Sequence, residues 1–374
     1  MGFGHSSVVQ FALWGLSEAR FFTQGRDLLP NDRFLTCREI LRWHYGHRRP
    51  TFLGTPRRHY SLHYTYRHDD RTYLISKVRK ESGRVPFSWQ FAIMQAITAT
   101  AAGSVVRSSV ETRNGDSWVT GLRNRWFVRS YAEHDPAPDW LATSLVEDAA
   151  RKLALVHRSA DVIDRAALDA SESDLHAYDW PMARVLGQAD PLIANMVSRG
   201  RTPAHVKTVN AGLARLSAER VGLYLGPKGL THHDLRTENL LVRDGVVTEI
   251  VDWDRAHWDV QWYDVALAGL HLAYLQPMCL RWDLTEAFVA AYQENTEHEL
   301  TPEALGWLFR FTAVRNLAVS RSPEKWARLV RGVEERWGGL PSVFVGDFVA
   351  EDQVAADVDV AAEDGGSLGA VGVG

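Results

Sequence analysis

Residues 231–254 read THHDLRTENLLVRDGVVTEIVDWD. Within this stretch, Asp244-Gly245 separates two apolar runs, which is a strong signal for a β-hairpin. Folding the chain about this turn brings Asn239, just before the first predicted strand, to within about two residues of Asp252, at the end of the second. Asp234 precedes Asn239 by five residues. We therefore expect Asp234 to lie in the loop before the hairpin and to point into the same space.

This predicted triangle of side chains suits phosphoryl transfer. An asparagine and an aspartate held side by side offer the hard oxygen ligands that Mg²⁺ prefers. A separate carboxylate, here Asp234, can accept or orient the proton of an attacking hydroxyl group. Few residues suffice, because phosphoryl transfer depends on positioning and electrostatics more than on covalent chemistry.

The motifs around the triangle resemble those of a known family. The order and spacing of His232, Asp234 and Asn239 are those of the kinase catalytic loop. Residues 250–254 (IVDWD) and 264–266 (DVA) then resemble the aminoglycoside phosphotransferase and choline kinase family. In that family, Asp-Trp-acid replaces the Asp-Phe-Gly of protein kinases, and an Asp-hydrophobe-Ala follows shortly after.

The resemblance covers roughly residues 33–340, and its sharp motifs fill residues 231–266. It implies an α+β, protein-kinase-like, two-lobed fold with a small β-rich N-lobe and a larger, mostly helical C-lobe. It also implies ATP as the phosphoryl donor, Mg²⁺ as the metal and a hydroxyl group as the acceptor.

The resemblance also implies a role for each motif residue. Asp234 is expected to be the catalytic base, and Asn239 and Asp252 are expected to be the magnesium ligands. His232 and Asp264 resemble the residues that brace the catalytic loop from behind.

Residues outside the motifs are expected to contact the nucleotide. Lys77, near the end of a predicted strand, resembles the lysine that contacts the phosphates. Arg58 lies where a Gly-rich loop is expected and can also serve them. The hinge backbone at Ser130, Tyr131 and Glu133 is expected to meet the adenine.

The lysine lacks its usual acidic partner in the sequence. The predicted helix at residues 88–101 contains Gln90 and Gln95 but no carboxylate. Glu81 precedes that helix and is the available substitute.

Hydrophobic periodicity divides the chain into a β-rich and a helical part. Alternation predicts strands at residues 60–66, 72–78 and 126–131. Asn114-Gly115 predicts a hairpin between residues 105–110 and 118–122. Residues 135–138 are the predicted hinge, and helical spacing follows from residue 141 onward. We expect four regions: a helical extension (1–46), a nucleotide-binding N-lobe (47–134), a helical C-lobe with the catalytic loop (135–345) and an acidic, disordered tail (346–374).

Composition narrows the class of protein and its partners. Hydrophobic residues make up 45% of the chain and charged residues 24%, as in soluble globular proteins. The two cysteines, Cys37 and Cys279, are far apart and favour a reducing, cytoplasmic location. No apolar run approaches the roughly 20 residues that cross a bilayer. Once the acidic tail is set aside, the remaining chain is only mildly basic, so we expect neither a nucleic-acid nor a membrane partner.

Several functions remain open at this point. The acceptor can be an antibiotic, an amino sugar, a choline-like alcohol, or Ser or Thr of a ribosomally made peptide. In the peptide case, phosphorylation precedes elimination, as in lanthipeptide or thioamide-peptide maturation. A non-catalytic pseudokinase is a second class. A metallohydrolase is a third, with His232 and His233 binding a metal together with Asp234, Asp252 or His257.

Overall fold

The computed structural model describes residues 37–54, 62–79, 87–121, 124–135, 141–163, 182–274, 280–320 and 322–337. The chain divides into two compact units. The first combines Met1–Asp179 with Gly229–Trp258, and the second combines Trp180–Lys228 with Asp259–Gly374. Arg58, Glu81, most of the predicted hinge and the acidic tail lie outside the described residues, as does the N-terminal extension before Cys37.

The N-terminal part of the first unit contains the strands β1 Thr51–Gly54, β2 Leu62–His68, β3 Arg71–Arg79, β4 Val119–Thr120 and β5 Asn124–Ser130. They form a five-stranded antiparallel sheet in the order β1-β2-β3-β5-β4. A tight turn at Asp69 and Asp70, with φ values of 47° and 60°, joins β2 to β3. The three strands predicted from alternation are confirmed.

The two faces of this sheet pack against different helices. One face carries Ile75 and Trp126, which join a buried cluster with the helical segment 37–40 and the π-helical turn Leu41–Tyr45. The opposite face carries Phe127, whose ring lies 5.1 Å from that of Phe91. Phe91 belongs to α1 (Phe87–Thr98), so the central strands are apolar on both faces.

The hairpin predicted between residues 105–110 and 118–122 is wrong. Val110 instead forms an isolated bridge with Val128, and β4 pairs with β5 through Val119 and Trp126. Asn114-Gly115 does lie in a turn, in which the Gly115 amide donates to the Thr112 carbonyl. Val110 and β4 therefore both pair with β5 rather than with each other, and the Val105 carbonyl accepts a hydrogen bond from the Ile250 amide instead.

The rest of the first unit contains α2 (Thr143–Ala160) and the hairpin strands β7 (Leu240–Arg243) and β8 (Val246–Ile250). The apolar face predicted for α2 is buried along its length at Leu145, Ala149, Leu153 and Val156. Two short strands, β6 (Lys228–Thr231) and β9 (His257–Val260), lie where the chain passes between the units.

The second unit is helical in its described part. Two of its helices begin with proline after a threonine cap: Thr202 and Thr301 each accept a hydrogen bond from a backbone amide of the first turn. None of the described helices is sufficiently long and apolar to span a membrane. The helices are α3 Met182–Gly187, α4 Ala189–Ser198, α5 Pro203–Glu219, α6 Gln261–Ala273, α7 Trp282–Gln293, α8 Pro302–Val319 and α9 Pro323–Trp337.

Gly226 lets the chain pass close to a buried tryptophan in the second unit. Its φ is 102°, and a Cβ added there would lie 2.4 Å from Cδ2 of Trp262. We expect Gly226→Ala to lower the free energy of unfolding by about 3 kcal/mol, through backbone strain and overpacking. Urea denaturation measures this loss. Gly222→Ala is the control, because Gly222 has φ 85° but open space around it, and should lose about 1 kcal/mol. Equal losses in the two variants would contradict the close approach.

Candidate active site

The hairpin predicted from Asp244-Gly245 is confirmed. Strands β7 and β8 pair antiparallel, and Asp244 and Gly245 have φ values of 53° and 77°, as a two-residue hairpin turn requires. The pairing continues past the ladder, because the Val251 amide donates to the Asn239 carbonyl at 2.9 Å. Asn239 is therefore held across from Val251, the residue immediately before Asp252.

Side-chain hydrogen bonds fix the loop that leads into this hairpin. Asn239 Nδ2 donates to the Asp234 carbonyl at 2.8 Å, which closes the loop between them. The Asp234 amide donates to His232 Nδ1 at 3.2 Å. His232 Nε2 lies 3.0 Å from the Val251 carbonyl. Since Nδ1 accepts, this network assigns the proton to Nε2, which then donates to Val251.

His232 thus ties the loop to the end of β8. Its ring also contacts Trp253 edge-on, with centroids 4.6 Å apart, and the residue is fully buried. These contacts are of the kind that a bracing role requires. Asp264, the other predicted bracing residue, lies in the first turn of α6 in the second unit and is fully buried.

Two motif residues adopt a left-handed backbone. His233 has φ 60° and Asp252 has φ 68°. This conformation is uncommon for residues other than glycine and costs roughly 1–2 kcal/mol. Strain of this kind clusters at functional sites, so it adds a structural signal to the same two segments that the motifs identify.

The Asp234 carboxylate is nearly buried and has a cationic neighbour. Its side chain is 8% exposed, and Oδ2 lies 3.4 Å from Arg236 Nη2. Arg236 is 41% exposed and also lies 4.0 Å from Glu238. Arg236 is not part of the motifs identified in the sequence, although a basic residue two positions after a candidate base was a usable signal. Because Arg236 is partly exposed, this ion pair orients the carboxylate more than it stabilises the fold.

Lys77 lies on the sheet face that carries the N-terminal helical segment. It alternates with Ile75, stands opposite Trp126 on β5 and holds its Nζ 4.6 Å from the Trp126 ring. Burial raises the pKa of the neighbouring Cys37 thiol to about 12, while the Lys77 ammonium acts to lower it. Lys77 is 5% exposed and lies on the face opposite the one that α1 covers. Its proposed contact with phosphate stays a prediction.

The predicted hinge residues follow β5 directly. Ser130 ends that strand, and the Tyr131 amide donates to the Thr72 carbonyl at 3.0 Å. Tyr131 and Glu133 line an open cavity of about 340 Å³, which is large enough for a small ligand. The cavity is lined by Asp70, Thr72, Arg107, Tyr131, Ala132, Glu133, Arg243 and Thr248.

A buried carboxylate that sequence analysis missed lies next to this cavity. Glu249 on β8 is 4% exposed, and its Oε2 lies 3.4 Å from Arg107 Nε. Burial raises the pKa of Glu249, whereas the charges of Arg129, Arg107 and His134 lower it. The sequence of β8 has the pattern of an ordinary hairpin strand, so it did not indicate that Glu249 is surrounded by these charged groups.

Comparison with known proteins identifies the family. The sequence profile of a phosphotransferase enzyme family, APH, matches residues 64–308, which is more than half of the chain. The chain belongs to the APH phosphotransferase family. The resemblance inferred from the motifs is therefore confirmed, and with it the assignment as a phosphotransferase with a hydroxyl acceptor. A search of curated proteins finds no match.

Several solved structures have a similar fold. An ethanolamine kinase from Plasmodium vivax is 13% identical, with a TM-score of 0.60, and the match covers 89% of this chain and 90% of that chain. A microcompartment-associated aminopropanol kinase is 16% identical, with a TM-score of 0.58 and coverage of 80% and 94%. A thermostable mutant of aminoglycoside phosphotransferase APH(4)-Ia is 14% identical, with a TM-score of 0.53 and coverage of 80% and 98%. These likenesses confirm the kinase-like α+β fold of the APH chain.

Proposed function

We propose that this APH-family enzyme transfers the γ-phosphoryl group of ATP to a hydroxyl group of a small molecule, at a site formed by Asp234, Asn239 and Asp252. One observation carries the proposal: Asn239 is bonded through its side chain to the Asp234 carbonyl and through its backbone to Val251. A single residue thereby links the candidate base to the residue that precedes Asp252. Such fixed positioning is the main requirement of phosphoryl transfer.

The donor atoms in this arrangement fit a magnesium ion. Asn239 Nδ2 is used in the bond to Asp234, so the amide oxygen is the atom that remains for a cation. Together with the Asp252 carboxylate it offers the hard oxygen ligands that Mg²⁺ prefers, and waters and phosphate oxygens complete such sites. When bound there, the ion supplies positive charge that neutralises the phosphate oxygens.

The roles of the protein groups follow from the reaction. The acceptor oxygen attacks the γ-phosphorus, the bond from that phosphorus to the β–γ bridging oxygen breaks, and ADP leaves with the bridging oxygen. The acceptor proton passes to a carboxylate oxygen of Asp234. Arg236 lies 3.4 Å from Oδ2 and holds the carboxylate in place for this proton transfer. The near-complete burial of Asp234 limits access of water, which would otherwise compete with the acceptor.

The choice of acceptors to test follows from the similar folds. These folds include an ethanolamine kinase, an aminopropanol kinase and an aminoglycoside phosphotransferase, so amino alcohols and amino sugars are tested first. The metallohydrolase alternative is less well supported, because both ring nitrogens of His232 make backbone hydrogen bonds rather than facing a metal.

A direct test combines ATP, Mg²⁺ and a panel of amino alcohols and aminoglycosides. We expect ADP to form only when magnesium and an acceptor are both present, and the acceptor to gain one phosphoryl group by mass spectrometry. A Ser- and Thr-containing peptide library forms a second arm. Binding of Mg-ATP without transfer to any acceptor in either arm would favour the pseudokinase alternative.

The bracing role of His232 gives a separate prediction. His232→Ala removes the bonds to the Asp234 amide and the Val251 carbonyl, so we expect kcat to fall by roughly 10- to 100-fold through loss of positioning. The free energy of unfolding should fall by about 1–3 kcal/mol, because the Val251 carbonyl loses its partner. Steady-state kinetics and urea denaturation measure the two effects. His298→Ala, which changes an exposed histidine away from the catalytic loop in sequence, should leave both unchanged; an unaltered kcat in His232→Ala would contradict the bracing role.

A further inference from the structure

Two histidines that the proposed reaction does not use lie together beside the catalytic loop. The rings of His233 and His257 have centroids 3.7 Å apart and are tilted by 47°. The residues are 1% and 6% exposed, so both imidazoles are withdrawn from bulk water. One nitrogen of each ring lies within 4.8 Å of the other, which is close enough for a single ion to reach both.

Hydrogen bonding decides which nitrogen His257 presents. Its Nδ1 lies 2.7 Å from the Arg255 carbonyl, which can only accept, so Nδ1 carries the proton and Nε2 carries the lone pair. Histidines that bind metals commonly donate their other ring nitrogen to a backbone carbonyl in this way. The Thr231 hydroxyl also donates to the His257 carbonyl at 2.8 Å. The ring is therefore held with a basic nitrogen in a defined position.

His233 contributes to the pair from a strained backbone. Its φ of 60° lies in the left-handed region, which is uncommon for residues other than glycine, although Asn, Asp and His adopt it more often than most. A side chain placed at such a position is held by the surrounding structure, and this pre-organisation lowers the entropy lost when a ligand orders it.

We propose that His233 and His257 bind one borderline transition-metal ion, of which Zn²⁺ is the type case, at a site separate from the magnesium ligands. Imidazole nitrogen suits Zn²⁺, Co²⁺, Ni²⁺ and Cu²⁺, whereas Mg²⁺ prefers carboxylate, carbonyl and water oxygen. The histidine pair and the proposed magnesium ligands would therefore select different ions, because one site offers nitrogen and the other oxygen ligands. Because His233 directly precedes Asp234, an ion at this pair tethers the catalytic loop and lowers turnover.

The site can be tested without nucleotide, so its outcome is independent of the proposed function. Protein treated with a chelator is titrated with Co²⁺ in the presence of excess Mg²⁺, and the visible absorption of protein-bound Co²⁺ is recorded. We expect one saturable Co²⁺ per chain that Zn²⁺ displaces and Mg²⁺ does not. His257→Gln should weaken binding at least about tenfold. His233→Asn, whose new residue tolerates the positive φ, should do the same while circular dichroism shows a folded chain.

A matched control and the contrary results complete the test. His134→Gln alters an exposed histidine of the same unit and should bind Co²⁺ like the wild type. The proposal is overturned if the wild type shows no saturable Co²⁺, which would mean that the rings only stack. It is equally overturned if both pair variants bind as tightly as the wild type, or if Mg²⁺ competes on equal terms.

Discussion

Asp234→Asn is expected to lower kcat by about 10²- to 10⁴-fold and to leave the affinity for Mg-ATP close to that of the wild type. The amide keeps the size and the buried position of the carboxylate but cannot take the proton of the acceptor. Binding is spared, because Asp234 holds the loop through its backbone carbonyl and amide, and these contacts to Asn239 and His232 remain in the variant. Steady-state kinetics with an acceptor from the panel and calorimetry with Mg-ATP separate the two effects.

A matched control lies on the same loop. Glu238 carries a side chain that is 66% exposed, and Glu238→Gln removes a nearby negative charge without touching the proposed base. It should retain kcat to within about a factor of two, because exposed charge pairs contribute little. If Asp234→Asn turned over as fast as Glu238→Gln, another group would have to accept the proton.

The second large effect is expected at Asp252. Asp252→Gly should weaken magnesium-dependent binding of ATP by roughly 100-fold or more, since even loss of an outer-shell partner costs 10- to 100-fold in metal affinity. Glycine is the informative replacement, because the φ of 68° at this position would strain most other residues and confuse a binding defect with a folding defect. Calorimetry with ATP, at several magnesium concentrations, measures the change.

Asp244→Gly supplies the control for the same substitution. Asp244 also has a positive φ, lies in the same hairpin and has a side chain that is 91% exposed. Its replacement by glycine should leave nucleotide binding unaltered. Equal affinity of the Asp252→Gly and Asp244→Gly variants for Mg-ATP would place the metal site elsewhere in the chain.

The hairpin and the loop before it were predictable from sequence because their geometry is local. Asp244-Gly245 specifies the turn, and the position of the turn places Asn239 opposite Val251, the residue next to Asp252. The same kind of signal at Asn114-Gly115 failed. There the turn formed, but Val110 and β4, on either side of it, paired with β5. The choice between distant pairing partners is one that a local pattern does not encode.

The surroundings of individual side chains were harder to predict. Alternation along β3 shows that Lys77 and Ser76 face opposite ways, but which face receives α1 depends on how the helices dock. The ion pair of Arg236 with Asp234 and the burial of Glu249 beside Arg107 likewise arise from the folded arrangement of separate segments. The positive φ values at His233 and Asp252 depend on the surrounding fold, because His and Asp tolerate this conformation without requiring it.

Thermal unfolding of the wild type with ATP and Mg²⁺, added separately and together, tests the central claim most directly. A ligand at about 100 times its dissociation constant adds roughly 2.7 kcal/mol to the free energy of unfolding, which is readily seen as a rise in Tm. The proposed site predicts a clear rise only when both components are present, because Asn239 and Asp252 hold the nucleotide through the metal. An equal rise with ATP alone, or no rise with both, would contradict a magnesium-dependent nucleotide site at these residues.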